Sequence, residues 1–178
     1  MNGPTVVHAG KPPRRVLRRG ASNLGERCQC KRTVEAKQEL EKYHSEYKIE
    51  IVFDMEISHD ILLVSGDEQL LKVLIMNLMD NGCKYSDQSS VLITISESAD
   101  NFLYIGFQNS GEGIERAELE KIFDPFYRAK SSVKQKGFGI GLSLAAKIVQ
   151  LHQGRISVSS VPGEITEFRL LLPFVHQS

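Results

Sequence analysis

A chain of 178 residues, 41% hydrophobic and 25% charged, can bury one ordinary globular core. Its 22 basic and 22 acidic side chains cancel, which removes any whole-molecule attraction to nucleic acid or an anionic membrane, and no apolar run is long enough to cross a bilayer. Three cysteines are an odd number and make no disulfide framework, and no apolar signal segment follows the basic N-terminus, so the composition reads as soluble and cytoplasmic.

Charge is concentrated at the start. Lys11, Arg14, Arg15, Arg18, Arg19, Arg27, Lys31 and Arg32 face only Glu26 there, among glycines and prolines and with no apolar period. Too little surface can be buried to offset the entropy of ordering this stretch, so residues 1–32 are expected to form a disordered leader. The competing reading is a basic arm for nucleic acid or anionic lipid, and the lack of aromatic residues among the charges counts against it. Cys28 and Cys30 have no second pair to complete a zinc site.

Order is expected from Thr33, and the folded domain is placed at 33–174. A helix is predicted over 33–47, then a strand in which Ile49, Ile51 and Phe53 alternate with polar residues, and a short strand from Ile61 to Val64. Asp67 is a good N-cap for a helix that runs to about Tyr85. Val91, Ile93 and Ile95 mark one strand and Phe102 to Phe107 the next, joined as a hairpin through the polar segment 97–101. The loop Asn109–Gly113, a short helix at 115–122, and a lysine-rich mobile loop at 128–137 follow. A last helix starts within Gly139–Leu142 and stops at Gly154, before strands at 155–160 and 167–172. Strand pairs punctuated by helices, without βαβ alternation, predict an α+β two-layer sandwich with a largely antiparallel sheet and three main helices.

Three segments carry chemistry. On the helix at 67–85, Asn77, Asn81 and Lys84 fall within about 60° of one another on the helical wheel, flanked on both sides by apolar residues. A polar stripe so placed either bonds to nearby backbone in the core or faces a cavity. Asn109-Ser110-Gly111-Glu112-Gly113-Ile114 ends a strand with closely spaced glycines, suited to a surface turn or to backbone approaching a flat ligand. Gly137-Phe138-Gly139-Ile140-Gly141-Leu142 opens a helix, where backbone N–H groups can hold phosphate. A dinucleotide fold would place such glycines after a strand in an early βαβ unit, and here they follow a polar loop late in the chain.

In this order the three segments resemble the N, G1 and G2 boxes of the histidine-kinase ATPase family. Asn77-Leu78-Met79-Asp80-Asn81-Gly82-Cys83-Lys84-Tyr85-Ser86 is similar to the N box, and Ile122-Phe123-Asp124-Pro125-Phe126-Tyr127-Arg128 resembles the F box of sensor kinases. The resemblance covers about 33–174 and implies the ATP-binding catalytic domain of a bacterial two-component sensor histidine kinase, with a Bergerat-type fold that holds ATP and Mg²⁺ between the N-box helix and a lid. It implies that Asn81 ligates Mg²⁺ with Asn77 nearby, that Lys84 meets phosphate charge, and that Tyr85 packs near adenine or ribose. By the same resemblance Asn109 faces the adenine amino group, Gly111, Gly113 and Ile114 shape the pocket, and Phe126 and Arg128 contribute to it. Gly137, Gly139, Gly141 and Leu142 close over the phosphates, loop 128–137 is the ATP lid, and Thr166 is a last contact at the pocket floor.

The sequence departs from the family pattern at three places: Asn109 stands where Asp is usual, Gly82 where Ala is usual, and Ile165 where a glycine is common. Asn109 retains a carboxamide oxygen to accept from adenine, and Gly82 is expected to cost about 1 kcal/mol of helix stability. Related chaperones, topoisomerases and mismatch-repair proteins carry a Glu four residues before the magnesium Asn, as the general base for hydrolysis. Here that position is Asn77, so the site suits transfer better than hydrolysis. Sensor kinases present their acceptor histidine on a helical hairpin, followed by an acidic residue, Arg and Pro. None of His8, His44, His59, His152 and His176 has that context; His59 reads as a surface turn residue and His152 as a helix-end cap. The expected partner is therefore a phosphoacceptor hairpin in cis or in trans, with a response regulator served indirectly, and the chain is expected to be inactive alone. A non-catalytic nucleotide-binding regulatory module of the same fold is the alternative.

Overall fold

Period-two alternation builds the sheet. In β5 (Ser90–Ser98) Val91, Ile93 and Ile95 are buried, and in β6 (Phe102–Ser110) so are Leu103, Ile105 and Phe107. The same inward face takes Ile156 and Val158 from β7 (Arg155–Ser160) and Phe168, Leu170 and Leu172 from β8 (Ile165–Val175). The structure is a computed structural model that describes residues 5–9, 27–53, 63–64, 66–98, 102–129 and 137–175. The predicted turn at His59, residues 61–62 of the expected second strand, the hairpin tip at 99–101, residues 130–136 of the expected lid, and His176 lie outside them.

Three helices cover the apolar face: α1 (Gln29–Tyr43), α2 (Glu68–Lys84) and α4 (Gly141–Leu151), with α2 packed between the other two. Leu71, Leu74, Ile75, Leu78 and Met79 of α2 and Ala145, Ile148 and Val149 of α4 are buried, as the helical period requires. A single-turn helix, α3 (Arg116–Leu119), lies before the F-box segment. The opposite face of the sheet is half-covered and polar; there Tyr104 Oη donates to Glu167 at 2.7 Å and Arg169 Nε donates to the same carboxylate at 2.8 Å. This is the two-layer sandwich that the pattern predicts.

Strand order along the main sheet is β1-β7-β8-β6-β5-β3, where β1 is Thr5–Ala9 and β3 is Lys48–Phe53. Every neighbouring pair is antiparallel except β3 with β5. At the far end of β8, β4 (Leu63–Val64) pairs with it and β2 (Arg27–Cys28) pairs with β4.

Several boundaries differ from expectation, among them the ends of α1 and of β8. The pattern predicts a disordered leader over 1–32, yet Thr5–Ala9 forms a strand with β7 and α1 begins at Gln29. Adjacent Val6 and Val7 hide the period-two signal that five residues could give, and an edge strand needs only one neighbour. The glycine spacing predicts a loop from Asn109, yet β6 continues through it to Ser110, in register with Thr166 and Ile165 of β8. The helix stop at Gly154 is refined as well: α4 ends at Leu151, and the left-handed residue is Gln153, with φ of 55°.

Asp67 caps α2 as expected, its Oδ1 accepting from the Gln69 and Leu70 amides at 2.9 and 3.0 Å. Gly82 has a packing reason that helix propensity does not supply. A Cβ there would stand 2.5 Å from Val91 Cγ2, so the missing side chain lets α2 lie flush on β5.

Candidate functional site

The C-terminal half of α2, the start of α4 and the ends of β6 and β8 enclose a cavity of about 400 Å³. Asn77, Asn81 and Lys84 all line it, so the polar stripe of α2 faces a cavity. The N-terminus of α4 approaches from the other side. An atom at a Cβ position on Gly141 would lie 3.4 Å from Asn77 Oδ1 and 3.8 Å from Asn81 Nδ2, and one on Gly137 would lie 3.0 Å from Lys84 Nζ. Two carboxamides and a cation on one helix therefore face a glycine-bearing helix N-terminus across a narrow gap. That arrangement supplies oxygen donors, a positive charge and backbone N–H groups together.

The base of the cavity is set by the sheet. Asn109 is nearly buried, and its Nδ2 donates to the carbonyls of Tyr85 and Ser110, each at 3.4 Å. A carbonyl can only accept, so these two contacts orient the amide and make Oδ1 its remaining acceptor. Thr166 pairs with Asn109 in the β-ladder and shares a 2.8 Å hydroxyl contact with Ser160, whose Oγ accepts from the Ile114 amide at 2.9 Å. Ile114, Leu142, Ile122, Tyr127 and Phe168 supply the apolar wall.

Of the residues that the sequence singles out, Asn77, Asn81, Lys84, Tyr85, Asn109, Gly113, Ile114, Arg128, Gly137, Gly139, Gly141, Leu142 and Thr166 line this one cavity. Two do not. Gly111 sits beneath the end of α2, where a Cβ would meet the Tyr85 carbonyl oxygen at 2.3 Å, so it sets the helix end from behind. Phe126 takes a left-handed φ of 66° and is 74% exposed, turned to solvent. Its amide donates to the Gly139 carbonyl at 2.9 Å, and Gly139, with φ of 70°, would clash with the F-box backbone if it carried a Cβ. The F box thus acts on the glycine loop through backbone. Ile165 is half-exposed and stands away from this cavity, so the missing glycine does not obstruct it.

Sequence reasoning missed several lining residues. Asp80, Asp87 and Glu112 bring carboxylates, and Phe138 and Ile140 fill the positions between the loop glycines. Asp80 accepts from Tyr47 Oη at 2.8 Å, which ties the cavity wall to the segment between α1 and β3. Burial first, and then this bond to Asp80, push the Tyr47 phenol well above its ordinary range. Position inside the N-box segment was the available signal for Asp80. Cys83, on the same helix, is buried, and its thiol is pushed up to about 12, chiefly by burial, so it stays protonated and unreactive. No cluster of three or more His, Cys, Asp or Glu side chains suited to a metal occurs among the described residues, and none of their helices is long and apolar enough to cross a membrane.

A sandwich whose cavity lies between an amide-bearing helix and a glycine loop opening a second helix defines a class of ATP-binding domains. Residues 66–176 match the family of histidine kinase-, DNA gyrase B- and HSP90-like ATPases, and the chain belongs to that family. The adaptive-response sensory kinase SasA of Rippkaea orientalis is 33% identical over 136 residues, or 75% of this chain and 35% of that protein. The signal transduction histidine-protein kinase AtoS of Escherichia coli K12 is 34% identical over 122 residues, 68% of this chain but 19% of that one. The chain thus spans only a minor part of these relatives. Among solved structures, the mycobacterial sensor histidine kinase MprB superposes with a TM-score of 0.70 at 20% identity, covering 83% of this chain and 95% of that one. The catalytic domain of the histidine kinase ThkA gives 0.69 at 24%, covering 85% and 96%. The fold is that of a histidine-kinase catalytic domain.

Proposed function

We propose that this domain holds ATP with Mg²⁺ in the cytoplasm and delivers the γ-phosphoryl group to a histidine on a phosphoacceptor hairpin, in the same chain or another. The observation that carries the reading is Asn77, at the cavity wall beside Gly141, where a hydrolysing relative needs a carboxylate. A carboxamide cannot take a proton from water at neutral pH. Of the carboxylates that line the cavity, Asp80 is engaged by Tyr47, and Asp87 and Glu112 are solvent-exposed. A site that binds the nucleotide without activating water keeps the phosphoryl group for a stronger nucleophile.

Magnesium takes oxygen ligands and accepts only one or two from protein when phosphate and water supply the rest. Two carboxamides one turn apart at the cavity wall fit that demand, so Asn81, with Asn77 beside it, would hold the ion, which when bound neutralises charge on the phosphates. Lys84 and Arg128 add positive charge, and the amides of 137–141 face the phosphates with the α4 dipole behind them. Asn109 Oδ1 accepts from the adenine amino group, Tyr85 packs beside the base or ribose, and Ile114 and Leu142 exclude water. In the reaction an imidazole nitrogen of the acceptor attacks the γ-phosphorus as the bond to the β–γ bridging oxygen breaks, and ADP leaves with that electron pair. Catalysis by this chain is then positioning and charge neutralisation. A response regulator would receive the phosphoryl group from the hairpin and not from this domain.

Calorimetry with Mg²⁺ and ATP, comparing the chain with Asn81→Ala, tests the first half; binding is expected and should fall at least about tenfold in the variant. Adding a purified sensor-kinase hairpin then tests transfer. Tight binding with no phosphohistidine formed would replace the kinase reading with that of a regulatory nucleotide-binding module. Magnesium-dependent release of phosphate without the hairpin would replace it with a hydrolase.

A further inference from the structure

The two helices that wall the cavity run antiparallel. Gly141 at the start of α4 faces Asn77 and Asn81 in the later half of α2, and the end of α4 returns to the start of α2. His152, the C-cap of α4, joins that far end. Its Nδ1 is 2.7 Å from the Ile148 carbonyl, and its Nε2 is 3.0 Å from the amide nitrogen of Asp67, the N-cap of α2. A carbonyl can only accept and an amide N–H can only donate, so the ring is neutral, with its proton on Nδ1. It is 7% exposed, and Gly66 lies against it so closely that a Cβ there would be 2.1 Å from Cδ2.

We propose that His152 is a positioning residue for the nucleotide site: a neutral clasp that fixes the far ends of α2 and α4 and so sets the gap between the Asn77–Asn81 stripe and the glycine loop. The inference rests on the ATP-binding reading above. From the clasp to the cavity each helix spans about ten residues, or about 15 Å, and over that length α2 and α4 pack against each other. Rigid helices released at one end pivot about such contacts and move at the other. Protonation of Nε2 turns donor toward donor, so the bond to the Asp67 amide is lost and the clasp opens. Most charged groups on the elements that meet here have partners of their own, Lys72 of α2 with Glu39 of α1 among them. The Asp67 carboxylate holds the Gln69 and Leu70 amides, Glu68 pairs with Arg32 of α1, and Arg155 of β7 stands over the Phe102 ring. Lys147 of α4 is exposed.

The test is calorimetric affinity for Mg²⁺-ADP from pH 8 to pH 5, for the full chain and for His152→Gln, whose carboxamide can accept from Asp67 but does not titrate. Protonation of ADP is common to both proteins and cancels in the ratio of their affinities. That ratio is expected to fall at least about fivefold toward pH 5, the effect of one lost hydrogen bond; a ratio constant with pH overturns the proposal. The unmutated, nucleotide-free chain provides a second arm by NMR. The Gly139 and Gly141 amides are expected to shift with the midpoint of the His152 ring, and amides that do not follow it overturn the proposal even if the variant fails to fold. Absence of Mg²⁺-ADP binding at every pH would sink the ATP-binding reading, while the glycine amides still decide the coupling.

Discussion

In the proposed ATP site, Asn109 is where a single side chain would bear most on ligand choice. An asparagine can present donor or acceptor, and alone it would not distinguish an amino-bearing purine from an oxo-bearing one. The carbonyls of Tyr85 and Ser110 take its Nδ2, which leaves the oxygen as the acceptor offered to a ligand. Asn109→Leu keeps the volume and removes both faces, so affinity for ATP should fall about tenfold or more by calorimetry. Unchanged affinity would mean that the base is held elsewhere. Gly111 behaves differently because its obstacle is backbone. In Gly111→Ala the new methyl meets the Tyr85 carbonyl, which no rotamer change can move aside. The expected loss is about 1–3 kcal/mol of stability, read from the urea midpoint.

The fit between α2 and β5 raises the same question for whole elements, with propensity and packing opposed. Gly82→Ala gains about 1 kcal/mol of helix propensity and loses more by driving a methyl into Val91, so the variant should be less stable by about 1–2 kcal/mol. Val91→Ala combined with it should cost less than the sum of the single changes, and strict additivity would show that the contact is not the cause. On the open face of the sheet, burial alone would raise the Glu167 carboxyl, but the bonds from Arg169 and Tyr104 outweigh it and hold the group below its ordinary value of 4.5. A carboxyl lowered in the folded state stabilises above its unfolded pKa, and that contribution is lost as pH falls from about 4.5 through the lower folded value. Thermal melts between pH 6 and pH 3 should therefore show an acid-side loss that is smaller in Glu167→Gln. Elements with a strong period were legible in the sequence: α2 with its cap, β5 and β6, and the glycine loop opening α4. The N-box stripe was legible too, although its choice between core and cavity needed the fold. Gly111 and Asp80 lie in recognisable motifs and His152 at a helix end, but their partners Tyr85, Tyr47 and Asp67 are far along the chain, and no local pattern encodes those contacts.

For the whole molecule, the open question is how the edges of the sheet are closed. At one edge β3 exposes Lys48 and Glu50, charges that discourage another strand from pairing. At the other edge β7 carries serines and, of charged residues, only Arg155 at its start, and β1 covers it in a five-residue antiparallel register from Thr5 with Ser160 to Ala9 with Ile156. Val7 and Ala9 pack against the core from this strand, which lies ahead of the residues matched to the family. Removing residues 1–9 would uncover the β7 backbone along a nearly uncharged edge. The burial lost is worth about 2 kcal/mol, so the melting temperature should drop by about 4–8 °C. The bared edge, longer by one residue and joined to the core strands, should also make the shortened chain self-associate more than the full chain in sedimentation velocity. No residue of β7 lines the cavity, so affinity for ATP should stay within about twofold. A shortened chain that melts like the full one and associates no more than it does would show that β1 contributes nothing to the fold. One that loses ATP binding with its stability intact would instead tie the strand to the site, through the Ser160 hydroxyl that bonds Thr166 at the floor of the cavity.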